Sequence, residues 1–149
     1  MAISASTEEL ADSFQNFAAR RGFDDIVVTL GLQPHAADGT SIAFSLPLRE
    51  PVAQASGMFS AAALFGAADI AGTFLAMQSY DDQGLFPLAV QSSQNFLSNS
   101  KAEFAVATAR MLRAGGSVAV TEVAVADSAG KLLMSATFTY VLSRRVVGR

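Results

Sequence analysis

The chain has 149 residues, of which 51% are hydrophobic and 15% charged, and it carries a net charge of -3. This length and composition suit one globular domain, residues 1–149, and exclude a disordered chain. Because the sequence has no cysteine and no basic N-terminal region followed by an apolar segment, we exclude disulfides and cysteine-ligated metals and expect a cytoplasmic protein.

The first predicted element is a helix over residues 7–21. Thr7 can cap its N-terminus, and two glutamates follow in the first turn, where the helix dipole favours negative charge. Arg20 and Arg21 suit the opposite end, and Gly22 then stops the helix.

A β-hairpin is predicted to follow the first helix. Its strands cover residues 26–32 and 41–48, and residues 34–40 form the turn between them. His35, the only histidine, falls in this turn and is predicted to be solvated. The second strand directs every other residue to one apolar face: Ile42, Phe44, Leu46 and Leu48.

A long apolar helix is predicted over about residues 57–78, within the stretch SGMFSAAALFGAADIAGTFLAMQSY. Nearly every side of it is apolar or small, which is typical of a helix enclosed by other structure. Asp69 is the only side chain in it that can carry a charge, so we do not expect a membrane span. A carboxylate there is costly to desolvate unless something pairs with it or uses it.

The surroundings of Asp69 in this helix indicate a site. Gly66, Gly72 and Thr73 fall at helical spacing from it, which joins the acid to a hydroxyl and two small residues on one narrow face. The alternative is that Asp69 pairs with a buried arginine or caps a neighbouring helix.

Four strands are predicted after a loop at residues 81–84. They cover residues 88–97, 102–114, 117–126 and 131–142, and their short connections predict an antiparallel meander. In the last strand the apolar residues from Leu132 to Leu142 alternate with polar ones. The element order predicts an α+β domain in which a curved antiparallel sheet wraps around one long central helix, with an extra N-terminal helix.

Several kinds of catalytic motif are absent from the sequence. It has no phosphate-binding glycine loop, no dinucleotide-binding glycine motif and no nucleophile elbow, and its single histidine makes a serine triad or a metal site unexpected. What remains is the carboxylate of Asp69, the hydroxyl of Thr73 and the N-terminal amides of the same helix. Such amides suit a carbonyl oxygen that becomes negative during acyl transfer, which points to hydrolysis of an activated acyl compound.

Three segments carry a resemblance to a known family. Residues 57–71, GMFSAAALFGAADIA, resemble the G-x-x-H-G-G-x-L-F-x-L-A-D-x-A segment of hotdog-fold thioesterases of the phenylacetate-pathway PaaI type. Residues 93–97, SQNFL, are similar to the S-I-N-F-L strand of that family, and residues 127–132, DSAGKL, to its D-x-x-G-K-L turn. With the element order, the resemblance covers roughly residues 26–142.

This resemblance implies a hotdog fold and a hydrolase of acyl-CoA thioesters. It implies a homodimer or a dimer of dimers, and no cofactor, since coenzyme A is part of the substrate. We expect no nucleic-acid partner from the charge distribution and no membrane partner because Asp69 lies in the apolar helix. The implied roles are the catalytic acid for Asp69, the backbone N–H that polarises the thioester carbonyl for Ala61, an amide that assists the same carbonyl for Gln54, and a water-positioning hydroxyl for Thr73.

The chain departs from the family pattern at the helix start. Ser60 stands where histidine is common, and Ala61 and Ala62 replace two glycines. Alanine keeps the N–H, but its methyl can crowd the thioester, so a non-catalytic acyl-CoA-binding protein is the alternative. A hydratase on the same fold is less expected, because it would normally use a histidine near the helix.

Substrate contacts are predicted near the helix start, on the matching strand and in the basic C-terminal third. Residues 101–149 hold seven basic and three acidic residues, a balance that favours a phosphorylated small molecule over nucleic acid; scattered solvated charges are the alternative. Phe65 is either part of this binding surface or an ordinary core residue. The predicted set is Ser60, Ala62, Phe65, Asn95, Lys101, Arg110 and Arg113.

Helix geometry adds a requirement for two chains. At a rise of about 1.5 Å per residue, Ala61 and Asp69 lie roughly 12 Å apart along one helix. They cannot engage the two sides of one carbonyl at that distance. A two-fold dimer in which the helix start of one protomer meets Asp69 of the other satisfies the requirement.

Overall fold

The structure, a computed structural model, describes residues 2–80, 83–145 and 147–148. Six strands form one antiparallel sheet in the order β1-β2-β4-β5-β6-β3, and a long helix packs against it, which is the predicted α+β hotdog arrangement with an additional N-terminal helix. Asp81 and Asp82 of the predicted loop lie outside the described residues. The elements are α1 (Thr7–Arg21), α2 (Ile26–Leu30), β1 (Gln33–Ala37), β2 (Ser41–Pro47), a 3-10 turn (Glu50–Val52), α3 (Ala61–Tyr80), β3 (Phe86–Phe96), β4 (Phe104–Ala114), β5 (Val118–Asp127) and β6 (Leu132–Ser143).

Helix α1 has the predicted bounds but a different N-cap. The Ser6 hydroxyl, not that of Thr7, accepts the Glu9 N–H at 3.2 Å, and the Glu9 carboxylate accepts the Ala5 N–H at 2.7 Å. This reciprocal pattern satisfies amides that the helix start leaves free. Gly22 ends the helix with φ 73, as predicted.

The prediction of a first hairpin strand at residues 26–32 is wrong. Residues 26–30 form α2, because Asp25 accepts the Val27 N–H at 2.9 Å as an N-cap and Gly31, with φ 70, ends the helix after one turn. The strand is β1, which occupies most of the predicted turn and includes His35, and it pairs with β2. A short apolar run does not distinguish strand from helix, and here its two caps decide.

The four strands after α3 begin and end within two residues of their predicted bounds, but they do not form one meander. Strands β4, β5 and β6 pair in succession as predicted, whereas β3 pairs with β6 at the edge of the sheet. The connection after β3 explains the difference: Ser98 Oγ donates to the Leu132 carbonyl at 2.6 Å, and the Ser128 N–H donates to the Phe104 carbonyl at 2.9 Å. The chain therefore crosses the ends of β6 and β5 before it enters β4.

Helix α3 begins later than predicted and is the core helix of the domain. Ser60 caps it: its hydroxyl accepts the Ala63 N–H at 3.0 Å, and its carbonyl accepts the Leu64 N–H at 3.1 Å. By length and composition α3 could cross a membrane, but 56% of that stretch is buried inside the fold. Its apolar character therefore reflects packing against the sheet.

One side of α3 is left uncovered by the sheet. Gly72, predicted to share a face with Asp69, is instead buried against the sheet, where a side chain would meet Tyr140 and Thr121. Gly66 lies on the uncovered side, and Leu30 of α2 approaches to 3.0 Å of the position that a Cβ would occupy. The partly or fully exposed residues on this side of α3 form a stripe that we call the open face. It consists of Ala62, Phe65, Gly66, Asp69, Ile70 and Thr73.

Helix α1 is attached to the core through a cluster of phenylalanine rings. The Phe74 ring of α3 lies 5.6 Å from Phe14, 5.2 Å from Phe17 and 5.2 Å from Phe44, and Phe74 is 3% exposed. Phe74 therefore joins both helices to β2.

We predict that Phe74→Ala lowers the free energy of unfolding by about 3–5 kcal/mol, because it removes these contacts and leaves a cavity. Urea denaturation measures this difference. Leu112→Ala is the matched control, since Leu112 is 54% exposed and its truncation should cost no more than about 0.5 kcal/mol. Equal losses in the two variants would contradict this packing.

Candidate active site

Asp69 lies in the middle of α3, on the open face and only partly exposed. Burial raises the pKa of its carboxyl above the ordinary 3.8, while hydrogen bonds from Tyr140 and Thr73 oppose that rise. The Tyr140 hydroxyl is 3.3 Å from Asp69 Oδ1 and 3.1 Å from the Asp69 carbonyl oxygen. Asp69 is thus a poorly solvated carboxyl with hydroxyl partners.

The alternative of a buried ion pair receives no support. In the described part of the chain, the partners of the Asp69 carboxyl are the hydroxyls of Tyr140 and Thr73, with neither an arginine nor a helix N-terminus among them. A carboxylate held only by neutral donors keeps its charge available for chemistry at the open face.

The start of α3 presents free backbone amides. The Ser60 N–H donates to the Val52 carbonyl at 2.9 Å, and the Ala63 N–H donates to the cap. Between them, the N–H groups of Ala61 and Ala62 have no acceptor among the described residues, and both alanines are exposed. Free amides at a helix start are suited to a negative or polarised oxygen.

Gln54 belongs to the loop that leads into α3. Its N–H donates to the Met58 carbonyl at 2.8 Å, and its side-chain oxygen accepts the Ser56 N–H. Gly57 adopts φ 83 in the same loop. The loop therefore uses the Gln54 side-chain oxygen to hold its shape, and its side-chain NH₂ is the group that could face a carbonyl oxygen.

Two lysines lie beside the helix start. Asn99 Nδ2 donates to the Phe59 carbonyl at 2.8 Å, which holds the loop after β3 against the approach to α3. Lys101 Nζ then lies 3.7 Å from the position of a Cβ on Gly57, and Lys131 Nζ donates to the Asn99 carbonyl at 2.9 Å. Lys131 was not predicted as a substrate contact: in the sequence it belongs to a turn motif, begins a predicted strand and is one of seven basic residues in the C-terminal third.

Other predicted substrate contacts lie elsewhere on this protomer. Arg110 is paired with Glu122 across β4 and β5, on the sheet face away from α3, and Arg113 lies at the far end of β4, where its charge acts on Tyr80. Asn95 is exposed on the outer face of edge strand β3. The structure does not bring these three residues to the start of α3.

Phe65 lies on the open face, with its ring 5.5 Å from that of Phe138. It is half-buried, so it serves the core and still borders the site. His35 is exposed on β1, with its ring 5.9 Å from Phe104, and β1 forms the sheet edge opposite β3. Within the described residues, no group of three or more histidine, cysteine, aspartate or glutamate side chains could hold a metal ion.

Tyr140 and Thr121 are site residues that the sequence analysis missed. Both are 0% exposed, and in the sequence they continue the ordinary alternation of β6 and β5. The one feature of the sequence that could have identified Tyr140 is its hydroxyl on the apolar face of a predicted strand, because a buried phenol usually requires a hydrogen-bond partner.

Comparisons with known proteins agree with this architecture. A sequence model of the thioesterase superfamily matches residues 57–134 of this chain. The thioesterase HI1161 from Haemophilus influenzae superposes with a TM-score of 0.79 at 16% identity, over 94% of this chain and 92% of that one. The E. coli PaaI protein from the phenylacetic acid degradation operon superposes with a TM-score of 0.75 at 18% identity, over 92% and 96%. No curated protein sequence matches this chain significantly.

A third solved structure is a mutant of the thioesterase PA1618 from Pseudomonas aeruginosa. It has a TM-score of 0.79 at 20% identity and covers 86% of this chain and 91% of its own. At such identities the likeness shows that the fold is shared.

The environment of Asp69 predicts a stability effect of definite sign. Because its pKa is raised in the folded state, ionised Asp69 destabilises the fold once the pH exceeds the ordinary value of 3.8, and the penalty is complete above the folded pKa. We therefore predict that Asp69→Asn is more stable than the wild type at pH 7 and that the gain shrinks toward pH 3, as urea denaturation can measure.

Asp127→Asn is the control of opposite sign. The Asp127 carboxylate accepts hydrogen bonds from the N–H groups of Ala129 and Lys131 at 3.0 and 2.9 Å. These bonds, chiefly the one from Lys131, lower the pKa of Asp127. Its ionised form stabilises the fold above pH 3.8, and this contribution is lost as the pH falls through the lowered pKa. Destabilisation of the protein by Asp69→Asn at pH 7 would refute the assigned environment.

Proposed function

The chain belongs to the thioesterase superfamily, and from that premise we propose that it hydrolyses acyl-CoA thioesters to a carboxylate and coenzyme A. The observation that carries the proposal is a single partly buried carboxylate, Asp69, held by two hydroxyls on an otherwise apolar helix that begins with free amides. Fold alone does not fix function, so the weight rests on this site.

In the proposed reaction, Asp69 acts on water as a general base or attacks the thioester carbon itself. Thr73 positions the water, and the Ala61 N–H with the Gln54 amide stabilises the negative oxygen of the tetrahedral intermediate. The carbon–sulfur bond then breaks, and coenzyme A leaves as a thiolate that takes up the proton removed from water. When Asp69 is the nucleophile, the acyl group is held on it as a mixed anhydride, and water hydrolyses that anhydride to release the carboxylate and restore Asp69. No metal or further cofactor is required for these steps.

The site is completed by a second copy of the chain. Ala61 and Asp69 are eight residues apart on one helix, about 12 Å, so the amide and the acid that act on one carbonyl come from different protomers. The open face of α3 and the exposed apolar side chains of edge strand β3 support a homodimer, with Leu88 44% and Val90 53% exposed. A dimer of dimers would add contacts beyond this pair.

Coenzyme A carries phosphates that need cationic partners. Lys101 and Lys131 lie next to the helix start and support phosphate contacts there, together with the polar and small residues Ser60 and Ala62. Arg110, Arg113 and Asn95 could contribute only from another protomer or another part of the substrate path. The proposed setting is the cytoplasm, with no nucleic-acid or membrane partner.

A steady-state assay with aromatic, short-chain and medium-chain acyl-CoA thioesters tests the activity. We predict that Asp69→Asn lowers kcat at least ~100-fold while the protein stays folded and still binds acyl-CoA, because the change keeps the shape and removes the base. In the wild type, kcat/KM should rise with pH through the raised pKa of Asp69.

Two results would count against this proposal in different ways. Undiminished turnover by folded Asp69→Asn would reject Asp69 as the catalytic residue. Binding of every acyl-CoA by the wild type without turnover would favour the non-catalytic binding protein, in which the Ala61 and Ala62 methyls block the productive approach of the thioester.

A further inference from the structure

A cluster of hydroxyls lies behind Asp69, on the side of α3 that the sheet covers. Tyr140 of β6 is 0% exposed, and its hydroxyl is 3.1 Å from the Asp69 carbonyl oxygen and 3.3 Å from Oδ1 of the side chain. One hydroxyl proton therefore has two acceptors on the same residue. When the carboxyl is ionised, it becomes the stronger acceptor of the two.

Gly72 makes room for this cluster. A Cβ on Gly72 would lie 2.5 Å from the Tyr140 hydroxyl oxygen and 2.8 Å from Thr121 Oγ1, and real Cβ contacts are essentially never that short. Any other residue at this position would displace the phenol from Asp69. Gly72 and Thr121 thus form a socket that fixes where the Tyr140 hydroxyl can be.

We infer that Tyr140 is a positioning residue for Asp69: its hydroxyl, seated in the socket of Gly72 and Thr121, orients the carboxylate toward the open face and favours its ionised form. The phenol does not touch the reacting atoms, because it contacts Asp69 from the buried side. Its effect on the reaction is transmitted through Asp69 alone.

The charged groups on the strands around α3 do not face the Asp69 carboxyl, whereas Tyr140 does. Burial and, to a smaller degree, the charge of Asp69 raise the pKa of Tyr140 well above 10, so it is a neutral donor and not a second base. The other polar groups at the Asp69 carboxyl and at Tyr140 are the hydroxyls of Thr73 and Thr121. Charged side chains of the strands packed on α3 lie on their outer face or at their ends: Arg110, Arg113, Glu122 and Asp127.

The direct test measures the pKa of Asp69 by carboxyl-carbon NMR, with the Asp69 signal assigned through its loss in Asp69→Asn. We expect Tyr140→Phe to raise this pKa by about one pH unit, since one hydrogen bond to the charged form is lost. The matched control is Tyr80→Phe, because the Tyr80 hydroxyl is bonded to the Gly115 carbonyl at 2.5 Å, away from Asp69. It should leave the Asp69 pKa unchanged.

Activity gives a second readout, which rests on the proposed function. The pH at which kcat/KM rises should be higher in Tyr140→Phe by the same amount as the NMR pKa, and it should be unchanged in Tyr80→Phe. If Tyr140→Phe shifts the Asp69 pKa but the wild type has no thioesterase activity, Tyr140 still positions Asp69 and the proposed hydrolase function is rejected. An unchanged or lowered Asp69 pKa in folded Tyr140→Phe would overturn the inference.

A variant that preserves volume covers the case in which Tyr140→Phe fails to fold. In Tyr80→Phe, Tyr140 is the only tyrosine, so growth on 3-fluorotyrosine labels it alone. The more acidic fluorophenol is a stronger donor and should lower the Asp69 pKa by a fraction of a pH unit. No change on fluorination would equally overturn the inference.

Discussion

A single sheet can cover only part of the circumference of an apolar helix, and this constraint organises the whole molecule. The strands bury the side of α3 that carries Ala67, Ala68 and Ala71, each 0% exposed, and α2 approaches at Gly66. The open face is what remains. Its apolar and small residues are suited to a second copy of the helix, so the incompleteness of one protomer becomes the basis of the proposed assembly.

Asp69 stands at the boundary between the covered and open sides, and its properties follow from that place. Burial makes its ionised form costly, while hydroxyls from both α3 and the sheet make the charge tolerable. A group that weakens the fold yet is held in a defined environment is typical of a functional site. The start of α3 supplies the complementary feature, free amides, but one helix cannot bring the two together.

The sequence predicted those parts of the fold that local patterns determine. End charges and the stop at Gly22 predicted α1, and apolar alternation predicted β2 and β6, because burial of one face imposes this period. The turn residues between short strand candidates predicted β4 and β5. α2 was mispredicted as a strand, since the five residues between Asp25 and Gly31, four of them apolar, fit either structure. The place of β3 beside β6 could not be predicted, because the choice of a strand partner depends on a crossing connection and not on the strand itself.

The same distinction between local pattern and tertiary structure separates the site residues that were predicted from those that were not. Asp69, Thr73 and the free amides of the helix start follow from positions on one helix, so the sequence could identify each of them as a candidate site residue. Tyr140 comes from a strand 71 residues away and is hidden within a regular alternation, so only the tertiary structure places it against Asp69. Lys131 was one of several basic residues that the sequence could not rank, and Arg110 was favoured for its charge although the sheet directs it away from α3.

Mixing two inactive variants tests the central claim, a site shared between two chains, most directly. Ala61→Trp blocks the helix start and Asp69→Asn removes the acid, so a mixed dimer keeps one intact site. After the two are refolded together, activity should recover to about one quarter of the wild-type value, because random pairing makes half of the dimers mixed and each has one working site. Sizing each variant alone checks that the indole leaves the dimer intact. No recovery from properly formed mixed dimers would contradict the shared site.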